Sequence, residues 1–231
     1  MPIRDIHATT VTGSDSTRPT RAAGAARVGT LTALSALTAL VVAGLALAAP
    51  AGATAKASAP TPPKFLSAAE LPPHPSSAWT ADRVKDGVPE ELSFCLGAAL
   101  PGYDSRYRAF RTDLDASARQ LTIVVGSDAK AKALATRLNK EIRSCPTRIE
   151  QSDPEGEAES KDYGTLAVEE GAHVYGLHTE TSYGATDIRL LSVGRDGRAV
   201  TVVDWSQLGG FEGAPVAAFK KTTTTAVKKL Y

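Results

Sequence analysis

The Asp196-Gly197 dipeptide, flanked by apolar segments on both sides, constrains this chain more than any other feature. A two-residue hairpin loop of type I′ needs positive φ at both central positions, and Asp-Gly supplies it, so the dipeptide predicts a tight turn between antiparallel strands. That register sets Arg195 against Arg198 and, moving outward, Val193 against Val200, Leu191 against Val202, Arg189 against Asp204 and Ile188 against Trp205. Side chains alternate across a strand, which places Arg189, Leu191, Val193, Val200, Val202 and Asp204 on one face. Ile188, Leu190, Val203 and Trp205 take the other. Both faces are apolar, so each must be covered by protein or bind something.

Patterns elsewhere supply the rest of a domain. Ser67-Ala-Ala-Glu70 reads as a capping box, and Pro72-Pro73 stops the short N-terminal helix that it opens. Residues 107–112 and 120–125 flank a polar turn, and Leu121, Ile123 and Val125 alternate as a half-buried strand does. From Ser127 the period becomes helical through Ala131, Leu134, Ala135, Leu138 and Ile142, with Pro146 ending the segment. Residues 153–162 are acidic and turn-rich and read as a loop. Strand patterns follow at 164–169, 173–179, 187–193 and 198–205. Pro215 then opens a terminal helix carrying Val216, Phe219, Thr223, Ala226, Val227 and Leu230 on one stripe. The expectation is an α+β domain: an antiparallel sheet with two long helices packed on one face and a short N-terminal helix.

The first 55 residues do not belong to that domain. Arg4, Arg18, Arg21 and Arg27 precede an uncharged run at 28–49, and Ala53-Thr54-Ala55 offers a small-x-small site, so a secretory signal peptide cleaved after Ala55 is expected. Residues 56–64, rich in Pro, Ala and Ser, read as a linker, and the domain occupies 65–231. An uncleaved leader is the only membrane attachment in view. Basic and acidic side chains, 26 and 25 in the whole chain, nearly cancel, so electrostatic binding to nucleic acid or a lipid surface has no source. Export makes oxidation the default fate of the only two cysteines, Cys95 and Cys145. The loop that they close is worth about 4 kcal/mol in the chain-entropy account.

Chemical motifs are sparse. Ser127-Asp-Ala-Lys130 matches S-x-x-K but lacks the S-D-N and K-T-G elements that work with it, and Ser127 is explained as a helix N-cap. His173 and His178 are five apart on one strand, on opposite faces, and cannot share a metal there. The acidic loop lacks the glycine and terminal glutamate of a calcium-binding EF-hand. No G-x-S-x-G, H-E-x-x-H or P-loop is present, so no catalytic residue, metal or cofactor is assigned. The candidate ligand-binding residues are Trp205, which either faces an open cleft or is buried as core beneath residues 65–100, Tyr175 on a neighbouring strand whose face the turn does not fix, and Arg189 with Asp204, a cross-strand ion pair able to anchor a polar ligand.

The opening F-L-S-A-A-E-L-P at 65–72, Cys95 ahead of a hairpin, the helix ending in Cys145, and R-D-G-R-A-V-T-V-V at 195–203 before a terminal helix together resemble the PknH-like extracellular sensor domain. That resemblance implies a ligand-binding cleft on an antiparallel sheet and a place in the cell envelope. The kinase-linked members have a second disulfide that two cysteines cannot supply, and Arg198 stands where the family favours Asn. The expected function is a secreted, non-catalytic sensor for an unidentified small molecule or envelope component. The alternatives are a small secreted hydrolase with an unrecognised site, and an envelope protein-interaction or inhibitor module.

Overall fold

The computed structural model of the chain describes residues 61–231. The leader, its cleavage site at Ala55 and most of the linker lie outside the described residues. In chain order the elements are β1 (Thr80–Ala81), β2 (Lys85–Asp86), α1 (Ser93–Leu96), β3 (Ser105–Arg111), β4 (Ser117–Val124), α2 (Asp128–Arg143), α3 (Cys145–Ser152), β5 (Glu157–Leu166), β6 (Ala172–Glu180), β7 (Thr186–Asp196), β8 (Ala199–Leu208) and α4 (Val216–Lys228). Ala68–Glu70 forms a single 3-10 turn, closed by Glu70, whose carboxylate accepts from the Ser67 amide at 2.7 Å.

The strands form one eight-stranded antiparallel sheet in the order β1-β3-β4-β8-β7-β6-β5, with the short β2 also paired to β3. The β7–β8 hairpin turns at the expected place but in a different register. Asp196 pairs with Ala199, so Gly197 and Arg198 are the two central residues, and Gly197 has φ of +52°. With the glycine first and only it at positive φ, the turn is of type II′ rather than I′. Arg189 is therefore opposite Ser206, Leu191 opposite Asp204, Val193 opposite Val202 and Leu190 opposite Trp205. Each pairing moves by two residues, an even number, so every side chain keeps its expected face.

The expectation of two long helices on one face is overturned. α2 packs on the face carrying Leu121, Ile123, Tyr175, Leu177, Leu191, Val200 and Val202, to which it contributes Ala131, Leu138 and Ile142. α4 packs on the reverse, where Phe219 and Ala226 meet Val174, Ile188, Leu190, Val203 and Trp205. The cause is the sheet itself: two apolar faces each need a cover, and the chain crosses one face between β4 and β5 and returns over the other after β8. Leu66 and Leu71 of the N-terminal segment complete the α4 side.

Pro146 does not end the helical region. α2 stops at Ser144, and α3 starts at once with Pro146 in its first turn, where a missing N–H costs nothing. The acidic stretch is not all loop either, since β5 begins at Glu157 and forms an exposed edge strand on β6. Cys95 of α1 and Cys145 of α3 are joined by a disulfide across a sequence separation of 50. Both are buried on the α2 side, and Arg148 reinforces the junction by donating to the carbonyls of Cys95 and Glu141. No helix among the described residues is long and apolar enough to cross a membrane.

Candidate functional site

The four residues expected to bind a ligand are not brought together. Trp205 is 2% exposed and packs with Leu66, Leu71, Phe110 and Phe219. Of the two readings of Trp205, open cleft and core, the burial fits core, because α4 and the N-terminal segment both close over that face. Tyr175 lies on the opposite face, also buried. Its hydroxyl accepts from Arg143 at 2.9 Å and its ring stacks on His173 with centroids 4.4 Å apart. Burial raises the Tyr175 pKa, and the Arg143 charge offsets only part of that.

Arg189 and Asp204 share the face of Tyr175 but belong to a separate cluster. Asp204 is fully buried, and its Oδ2 accepts from Arg119 at 3.1 Å and from Arg189 at 3.4 Å. Arg119 also donates to the Glu91 carboxylate at 2.9 Å, and the Arg189 guanidinium sits 4.3 Å from the Phe94 ring. Burial pushes the Glu91 carboxyl up, but hydrogen bonds from its own backbone and Arg119, with the charges of Arg119 and Arg189, outweigh this and hold it below its ordinary value. Two arginines face two carboxylates, so the cluster neutralises itself. Its work is to pin the segment before α1 to the sheet.

An opening suited to a ligand lies elsewhere, under the N-terminal segment. That segment is strapped down at three points: Lys64 N–H donates to the Lys229 carbonyl at 2.8 Å, Leu66 N–H to Gln120 Oε1 at 2.6 Å, and Arg108 to the Leu66 carbonyl at 2.8 Å. Beneath it is a cavity of about 440 Å³, walled by Pro62, Pro63 and Phe65 of the strap and by Thr122 and Val124 of β4. The volume falls in the range of about 300–1,000 Å³ typical of small-molecule sites. Asp86, Asp104 and Arg106 stand at its rim, with Arg106 paired to Asp86 at 3.2 Å.

Two details mark this cavity. Thr122 is 4% exposed, and its Oγ1 is buried without a hydrogen-bond partner. A buried hydroxyl left unpaired costs about 1–3 kcal/mol, which a bound polar group can recover. Asp104 holds φ of +54°, a left-handed conformation that aspartate tolerates better than most side chains. Its carbonyl accepts from the Val124 amide at 3.0 Å, so the strained residue ties the rim to the cavity wall. Among the described residues no group of three or more His, Cys, Asp or Glu side chains is placed to hold a metal ion.

Sequence reasoning passed over Thr122 and Phe65. The signal was present: Gln120, Thr122 and Val124 alternate with the apolar Leu121 and Ile123, which marks a second β4 face with polar members. What the pattern did not contain was the strap that covers them. The chain matches no protein-family model, and no curated protein matches it in sequence.

Proposed function

We propose that this protein is a secreted, non-catalytic domain of the cell envelope that binds a small amphipathic molecule in the cavity beneath its N-terminal strap. The observation that carries this reading is the unpartnered hydroxyl of Thr122, which lines the cavity with Phe65, two prolines and Val124 on one part and Asp86, Asp104, Ser105 and Arg106 on the other. An apolar body fits those walls, and a hydroxyl or amide on the ligand pairs with Thr122. The disulfide supports an oxidising compartment, as does the leader-like sequence before Lys56. The similarity of 65–72 and 195–203 to the PknH-like extracellular domain supports a sensing role.

The test is a saturation-transfer NMR screen of cyclic and aromatic alcohols against the protein recovered from culture supernatant, whose N-terminus should be Lys56. Binding should fall sharply in Phe65→Ala. Retention of the full-length chain in the membrane would defeat the secreted part of the reading, and equal binding by the variant would defeat the site.

A further inference from the structure

We propose a second site, for a small amino acid, in the polar cleft between α2 and the β6–β7 pair on the opposite side of the sheet. The cleft, at about 260 Å³, is smaller than the cavity beneath the strap and suits a compact ligand. Lys132 and Asn139 of α2, Glu170 of the β5–β6 turn, His173 of β6 and Arg195 of β7 line it.

Asn139 supplies the first reason. Its Nδ2 donates to the Ala135 carbonyl at 2.8 Å, which fixes the amide so that Oδ1 is the remaining acceptor. That Oδ1 is buried and has no partner. An N–H donor on a ligand would satisfy it.

The charges supply the second. Lys132 and Arg195 offer positive charge, and Glu170 offers negative charge in the same small volume. Arg195 donates to the Gly197 carbonyl at 3.1 Å and Glu170 accepts from the Gly197 amide at 2.8 Å, so the hairpin turn holds both in place before anything binds. His173 is fixed as a wall: its Nε2 lies 2.6 Å from Asp162 and its ring stacks on Tyr175. A plain anion leaves Glu170 and Asn139 unmatched, and a plain cation leaves Lys132 and Arg195 unmatched. An α-ammonium carboxylate matches all four, with its carboxylate toward the two cations and its ammonium toward Glu170 and Asn139 Oδ1.

The experiment is a titration of the ¹⁵N-labelled protein with glycine, L-alanine and L-serine, followed by amide shifts. Propionate serves as the probe without ammonium, and alaninamide as the probe without carboxylate. Saturable shifts at Asn139, Gly171 and His173 are expected from the amino acids, with both control probes at least about tenfold weaker. Asn139→Leu and Lys132→Gln should each weaken L-alanine binding about tenfold with the spectrum otherwise unchanged, and Lys132 is exposed, so its replacement does not put folding at stake. Propionate or alaninamide binding as well as L-alanine would overturn the proposal. So would the absence of saturable shifts in the cleft with all three amino acids, or unweakened binding in Lys132→Gln.

Discussion

Asp204 shows how a single buried carboxylate can organise a sheet face. It contacts Arg119 and Arg189 together and with Glu91 balances their charge, and each guanidinium is mostly buried. Asp204→Ala leaves Arg189 without a carboxylate partner and Arg119 with Glu91 alone, so the variant should lose about 3 kcal/mol in a denaturant melt, the usual cost of breaking a buried pair from one side. A loss under about 1 kcal/mol would mean that the arginines find water instead. Asp162 is the opposite case, an exposed carboxylate held below its ordinary pKa mainly by the hydrogen bond from His173. Its stabilising contribution is present above the unfolded carboxyl's pKa and is lost as the pH falls through the lower folded value. Exposure keeps the effect small, so the check is a carboxyl NMR titration with a midpoint below that of a free aspartate, returning toward it in His173→Ala.

Elements carry the next level of explanation, and here helix placement decides what the sheet can expose. α4 sits close to β7, where a Cβ on Gly194 would run into Val227 and Ala172. Gly194→Ala should cost about 1–3 kcal/mol through overpacking, and adding Val227→Ala should recover part of it. Independent costs in the double variant would contradict the close approach. The periodicities of 131–142 and 216–230 made both helices legible, and the Asp-Gly turn located the β7–β8 hairpin. Which face each helix takes was not legible, because β7 and β8 are apolar on both sides and periodicity says nothing about crossover direction. The turn subtype escaped for a related reason: Asp196-Gly197 suits both type I′ and a type II′ turn one residue later, and tertiary pairing with β4 and β6 selects the latter. Thr222–Thr225, a β-branched run that disfavours helix, is held in α4 by hydroxyl bonds from Thr224 and Thr225 to carbonyls one turn back and by Thr223 to Ser192 at 2.9 Å.

At the scale of the whole molecule, the disulfide and the strap fasten segments that lie outside the sheet over its two opposite faces. The Cys95–Cys145 bridge fastens the α1 region to α3 over one face, and the loop that it closes is worth about 4 kcal/mol. Reduction should therefore lower the melting temperature by roughly 8–16 °C, at about 2–4 °C per kcal/mol for domains of this size, and an unchanged melt would show that packing alone holds α1. The strap closes the other face and creates the cavity proposed as the binding site. Its most direct test is an amide-shift titration with benzyl alcohol and with toluene, on the wild type and on Thr122→Val. Saturable shifts at Thr122, Val124 and Gly102 are expected, with tighter binding of benzyl alcohol than toluene, and loss of that preference in Thr122→Val while the variant melts no lower than wild type. Shifts confined to other regions, or a preference for the alcohol that survives removal of the Thr122 hydroxyl, would contradict it.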